Sequence, residues 1–97
     1  MKRVVPRLQG PARDVARGEL IGLPVRVARS TDGTLVGREG VVVDESLRTF
    51  VVRWPDGRES RLGKPGTTFA FHVRGAWVEV PGDAIEFRPE DRTKKVR

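Results

Sequence analysis

The groups in this 97-residue chain that could act as nucleophiles, bases or metal ligands are one histidine, thirteen carboxylates and no cysteine. A nucleophilic triad or a zinc site needs more partners than one imidazole without thiols provides. His72 lies beside Phe71 in an alternating run and reads as an ordinary barrel side chain. The adjacent pairs Asp44-Glu45 and Glu90-Asp91 are flanked by turn and helix-start residues, so turn-stabilising or capping work outweighs acid–base work for both. Gly37-Arg38-Glu39-Gly40 lacks the Lys-Ser/Thr that a phosphate loop requires. No catalytic apparatus is expected from these side chains, nor any cofactor or metal bound by the chain itself.

The chemistry that is present is cationic. Lys and Arg total 19 against 13 Asp and Glu, a net charge of +6. Residues 1–29 carry seven basic side chains against Asp14 and Glu19, and residues 88–97 carry five against Glu90 and Asp91. The stretch 30–87 holds seven basic and nine acidic residues, so all the excess positive charge lies at the two ends. Clustered cations attract polyanions and raise their rate of encounter. Most are arginine, which meets phosphate oxygens in a bidentate fork and stacks on bases. RNA contact is therefore expected at the ends, with solvated solubility tails as the bland alternative.

These residues need a frame, and the chain is long enough for one modest core. Residues 1–10, with Pro6 and Gly10, are expected to form a flexible basic arm, and 11–97 one domain. Pro11 to Ile21 places Val15, Ala16 and Leu20 near one helical face, with Gly22 as its C-terminal cap. From Leu23 the period becomes two, and Val25 and Val27 alternate with an outward Arg26. Further strands are expected at Val41–Val43, Thr49–Trp54, Glu59–Leu62, Thr67–Val73 and Trp77–Val80, separated by turns such as Pro55-Asp56-Gly57. Short strands at this spacing predict a mainly β protein, a small antiparallel barrel, which also removes exposed strand edges. Pro89, the acids behind it and the late bases suit a closing helix.

Phe50, Phe69 and Phe71 fall on core positions, while Trp54 and Trp77 near strand ends fit either packing or stacking. With so few aromatics, recognition by shape and phosphate is expected over base stacking. The absence of cysteine, of a long apolar run and of a signal-like N-terminus suggests a cytoplasmic protein with no membrane partner.

Five segments, in order, carry a resemblance. Glu19-Leu20-Ile21-Gly22-Leu23, then Val25-x-Val27-x-x-Ser30, then Leu35-Val36-Gly37-x-x-Gly40-x-Val42-Val43-Asp44-Glu45-x-x-x-Thr49 strongly resemble the archaeal ribonuclease P protein component 1 family. Lys64 with Gly66, Phe69 and Phe71 is similar to that family's Lys-then-Phe-x-Phe segment, and Arg88-Pro89-Glu90-Asp91-Arg92 resembles its C-terminal signature. The match spans about Glu19 to Lys95. The resemblance implies an Sm-like (SH3-like) barrel with short terminal helices. It also implies a subunit that supports a catalytic RNA, carrying bound magnesium, in maturing the 5′ end of precursor tRNA. Ribonuclease P RNA, protein component 4 and the other holoenzyme proteins are the partners it implies. A ribosomal or translation-associated SH3-like RNA-binding protein is the alternative, and a barrel that binds only protein is a third reading.

RNA-facing candidates are Arg13, Arg17, Arg26, Arg29, Arg38, Lys64, Arg88, Arg92, Lys94 and Lys95. Val15, Leu20 and Ile21 either meet a partner protein or lie on the chain's own barrel. Gly22, Gly37 and Gly40 are assigned to the fold, and Glu45 and Thr49 to the turn between the second and third strands.

Overall fold

In the computed structural model, which describes residues 7–96, the chain opens with helix α1 (Gly10–Arg17). Six strands follow: β1 (Pro24–Ser30), β2 (Glu39–Glu45), β3 (Thr49–Arg53), β4 (Glu59–Gly63), β5 (Thr67–Val73) and β6 (Ala76–Pro81). A 3₁₀ turn (Gly82–Ile85) and helix α2 (Pro89–Lys95) close the chain.

All strands belong to one antiparallel sheet in the order β4-β3-β2-β1-β5-β6. Phe50 on β3 and Phe69 on β5 are separated by two strands, yet their ring centroids are 5.0 Å apart at 81°. The sheet must therefore curl into a barrel around them. Val25, Val27, Val42, Val52, Leu62, Phe71 and Val80 complete the buried interior. The expected six-stranded barrel is present, but β4 and β6 are the two ends of the ladder rather than a bonded pair. The gap closes by backbone packing: a Cβ on Gly82 would collide with the Lys64 carbonyl, so the loop after β4 presses on the turn after β6. Gly40 plays the matching part between β2 and β3, where a Cβ would lie 2.6 Å from Val52 Cγ1.

Two bulges shape the site. The β1–β5 register shifts between Val27 and Arg29, and the β2–β3 register shifts between Val42 and Asp44. A bulge adds one residue, so every side chain beyond it changes face. Strict alternation from Val42 would turn Asp44 inward; the shift instead exposes Asp44 and sets Glu45 inside, opposite Phe50.

The first helix is shorter than expected. It ends at Arg17, where the Gly18 N–H donates to the Val15 carbonyl at 3.0 Å, and Gly22 belongs to a separate turn with φ +95°. Of the expected N-terminal arm, residues 1–6 lie outside the described residues, Leu8 is buried in the core and Gly10 already starts α1. No helix among the described residues is long and apolar enough to cross a membrane.

Candidate functional site

The ends of the chain meet. Helix α1 packs against α2, and Arg17 Nε donates to the Thr93 carbonyl at 3.3 Å. The joint is held from beneath by Arg92, whose Nη1 donates to the Ala16 carbonyl at 2.6 Å and also to the Gly18 carbonyl. Basic side chains some 80 positions apart thereby share one surface: Arg13 and Arg17 are exposed on α1, and Lys94 and Lys95 are exposed on α2. Arg13 and Arg17, four apart, lie on one face of their helix. Lys94 and Lys95 lie in the last turn of α2, where the helix dipole stabilises them.

Arg88, exposed at the N-cap of α2, borders a shallow groove with Leu47, Arg48 and Glu90. Arg26, Arg29 and Arg38 sit elsewhere, on the barrel wall. Arg26 Nη1 pairs with Glu39 Oε1 at 3.4 Å, and its guanidinium carbon lies 4.5 Å from the Trp77 ring centroid. Arg38 lies 4.1 Å over the Trp54 ring, and Arg29 is exposed beyond the β1 bulge. The candidates thus form a helical patch and a separate barrel-wall group.

Two expected RNA contacts are corrected. Lys64 is 0 % exposed and Arg92 is 1 % exposed, so neither side chain faces solvent. Both are spent on Glu45, itself turned inside by the β2 bulge. Arg92 grips it side-on, Nε to Oε2 and Nη2 to Oε1, each at 2.9 Å. Lys64 Nζ donates to Glu45 Oε2 and the Ser46 carbonyl at 2.8 Å and to the Phe87 carbonyl at 3.0 Å, so all three ammonium protons are used. Burial pushes the Lys64 pKa down, and the Glu45 hydrogen bond and charge only partly restore it. Glu45 therefore anchors two buried cations and does more than stabilise a turn. Thr49 keeps the turn role, its hydroxyl 2.6 Å from Ser46 Oγ.

Among the partner-facing candidates, Leu20 is wholly buried in the chain's own core because the chain folds back after Gly18. Val15 is half-buried against the core and borders an open groove with Pro11, Leu23, Val73, Ala76 and Val78, while Ile21 is 42 % exposed. Among the described residues no group of three or more His, Cys, Asp or Glu side chains is gathered as metal ligands would be. His72 lines the outer wall with its ring 4.9 Å from that of Trp77.

Glu45, assigned from the sequence to a turn, is an anchor, and Trp77, for which packing and stacking both fit the sequence, is an exposed ring. The sequence offered only a weak signal for the first: Glu45, Lys64 and Arg92 each fall in a motif segment, but so do Asp44, Arg88, Glu90 and Asp91. The bulge hid it, since alternation put Glu45 outside.

Residues 13–95 match the family model described as Ribonuclease P/MRP, subunit p29. Ribonuclease P protein component 1 of Methanothermobacter thermautotrophicus is 44 % identical over 84 residues, covering 86 % of this chain and 90 % of that one. Its counterpart in Desulfurococcus amylolyticus is 43 % identical over 86 residues, covering 88 % and 94 %. Among solved structures, that of Mth11, described as a homologue of human RNase P protein Rpp29, aligns with TM-score 0.57 and 43 % identity, covering 77 % of this chain and 97 % of that one.

Proposed function

Because the chain belongs to the ribonuclease P/MRP subunit p29 family and is a protein subunit of ribonuclease P, we propose that its work is to bind and brace the RNA rather than to cleave it. The family role in tRNA processing, with RNA and other protein subunits in one holoenzyme, follows from that membership. The ribosomal alternative is favoured by none of these matches.

The observation that carries the reading is the meeting of α1 and α2, which pools Arg13, Arg17, Lys94 and Lys95 on one surface. Such a patch suits an A-form backbone, whose deep, narrow major groove shuts side chains out and leaves phosphates and 2′-hydroxyls as the accessible handles. Each phosphate neutralised releases condensed counterions, so affinity falls steeply with salt. Four such contacts give a log–log slope of about −3 to −4.

In this reading the RNA subunit is the catalyst and holds the magnesium, and this chain acts in the cytoplasm by stabilising the folded RNA. The groove between α1 and β6, with Val15 on its rim and Ile21 exposed nearby, is the face offered to ribonuclease P protein component 4. A contiguous apolar surface beside polar ones is what a protein partner covers.

The test is recovery of RNA crosslinked to the tagged protein in its native cells, followed by sequencing. Enrichment of ribonuclease P RNA supports the reading. Enrichment of ribosomal RNA, or of no RNA, sinks it. A lower magnesium requirement for cleavage when this protein and component 4 are added to the cognate RNA is the matching functional outcome.

A further inference from the structure

From the outer wall of the barrel we infer that Trp77, backed by Arg26 and His72, is a stacking site for an unpaired nucleobase of the bound RNA, a refinement that rests on the reading above. Trp77 is 38 % exposed and is the one exposed aromatic side chain among the described residues. It projects from β6 opposite His72 on β5, the two ring centroids 4.9 Å apart at 50°. Arg26, two strands away on β1, lays its guanidinium 4.5 Å from the Trp77 centroid and is steadied by Glu39 at 3.4 Å. Three flat π groups from three strands thus converge on the solvent side, outside the buried core.

The core has no need of this arrangement. Phe50, Phe69, Phe71 and Trp54 already fill the barrel, and Trp77 is not among the buried residues of that cluster. An indole held on a sheet has only two side-chain torsions to order, and the Arg26 guanidinium 4.5 Å from its centroid adds a cationic group beside the ring. Unpaired bases bind to such surfaces through their π faces, whereas bases inside a duplex cannot reach them.

Local charge separates this site from the helical patch. Glu39 pairs with Arg26, and Glu79 lies on the same outer row, opposite Ala70, which itself pairs with Arg26. Two carboxylates around one arginine repel a phosphate track. The wall therefore suits a base turned out from the backbone, while the helices hold the backbone itself.

The chain carries its own reporter, since its other tryptophan, Trp54, is buried at 4 % and capped by Arg38. The full chain is titrated with ribonuclease P RNA, with a short unpaired oligonucleotide and with a blunt duplex, and tryptophan emission is followed. The unpaired strand and the ribonuclease P RNA are expected to quench Trp77 and the duplex is not. Trp77→Leu should weaken binding of the ribonuclease P RNA about 5- to 150-fold, the range that one stacked base supplies. The slope of log K against log salt should not change, because no phosphate contact is lost. Trp77→Phe should retain part of the affinity, and Arg26→Lys, which keeps the charge but not the plane, should lose affinity at constant slope.

Unchanged affinity in Trp77→Leu, with Trp54 emission and the circular dichroism of the fold intact, overturns the stacking site and leaves the subunit reading standing. A loss accompanied by a shallower salt slope makes the wall a phosphate contact and also overturns it. A loss seen only when a protein partner is present assigns the wall to that protein and likewise overturns the stacking site. Failure of the unsubstituted chain to bind the RNA rejects both readings.

Discussion

Replacing Glu45 by glutamine changes one buried atom and leaves two cations without a counter-charge. The carboxylate accepts two bonds from Arg92 and one from Lys64, and its side chain is fully buried. Breaking a buried pair by removing one partner costs about 3–5 kcal/mol, because the remaining charge is already desolvated. The stability of a domain this size is only about 5–15 kcal/mol. The Glu45→Gln protein is therefore expected to lose a large fraction of it, and its Tm should fall by roughly 12–40 °C at about 4–8 °C per kcal/mol. Urea unfolding at neutral pH should show the midpoint falling with an unchanged m-value. Lys64→Met should cost less, since Glu45 then keeps its two bonds to Arg92 and a buried ammonium is removed. A loss below about 1 kcal/mol for Glu45→Gln, the scale of an exposed pair, would refute the reasoning. So would the reverse order of the two variants.

The lowered Lys64 pKa gives stability a pH dependence of definite sign. Between that lowered value and the ordinary 10.5 the unfolded chain binds more protons at this site, so stability should rise with pH across the window. Urea unfolding of the native protein and Lys64→Met from about pH 8 upward should show the difference moving in favour of the native chain; a flat or falling difference contradicts it. Neutralising Arg13, Arg17, Lys94 and Lys95 together should make the salt slope of RNA binding shallower by about 3–4 with little change in fold, measured by filter binding at several salt concentrations. An unaltered slope would remove the helical patch from the interface. Gly40→Ala should destabilise by about 1–3 kcal/mol in thermal unfolding, because the new methyl meets the Arg53 carbonyl and Val52. A neutral result would mean that β2 and β3 separate without cost.

Most of the frame was legible before any coordinates. Val25 and Val27, the phenylalanines of β5 and Pro55-Asp56-Gly57 announce strands and a hairpin through period and turn chemistry, both local properties. Pro89 with Glu90 and Asp91 behind it announces α2 for the same kind of reason. The ordered motifs likewise pointed to the family that residues 13–95 match.

What the chain's order of residues determined by itself, then, is the alternation of its strands, its punctuation by turns and the location of its charge at both ends. Tertiary structure decided which charges face water. Alternation is counted one residue at a time, and a bulge resets the count; the shift at Val42–Asp44 turned Glu45 inward and drew Lys64 and Arg92 after it. Those two look like RNA contacts in the sequence because Lys64 lies in a Gly/Pro loop and Arg92 near the chain end, where basic side chains are ordinarily solvated. Inside the fold they became the clamp that seats α2 on α1, and that contact, between helices some 80 residues apart, is what gathers the remaining cations into a surface.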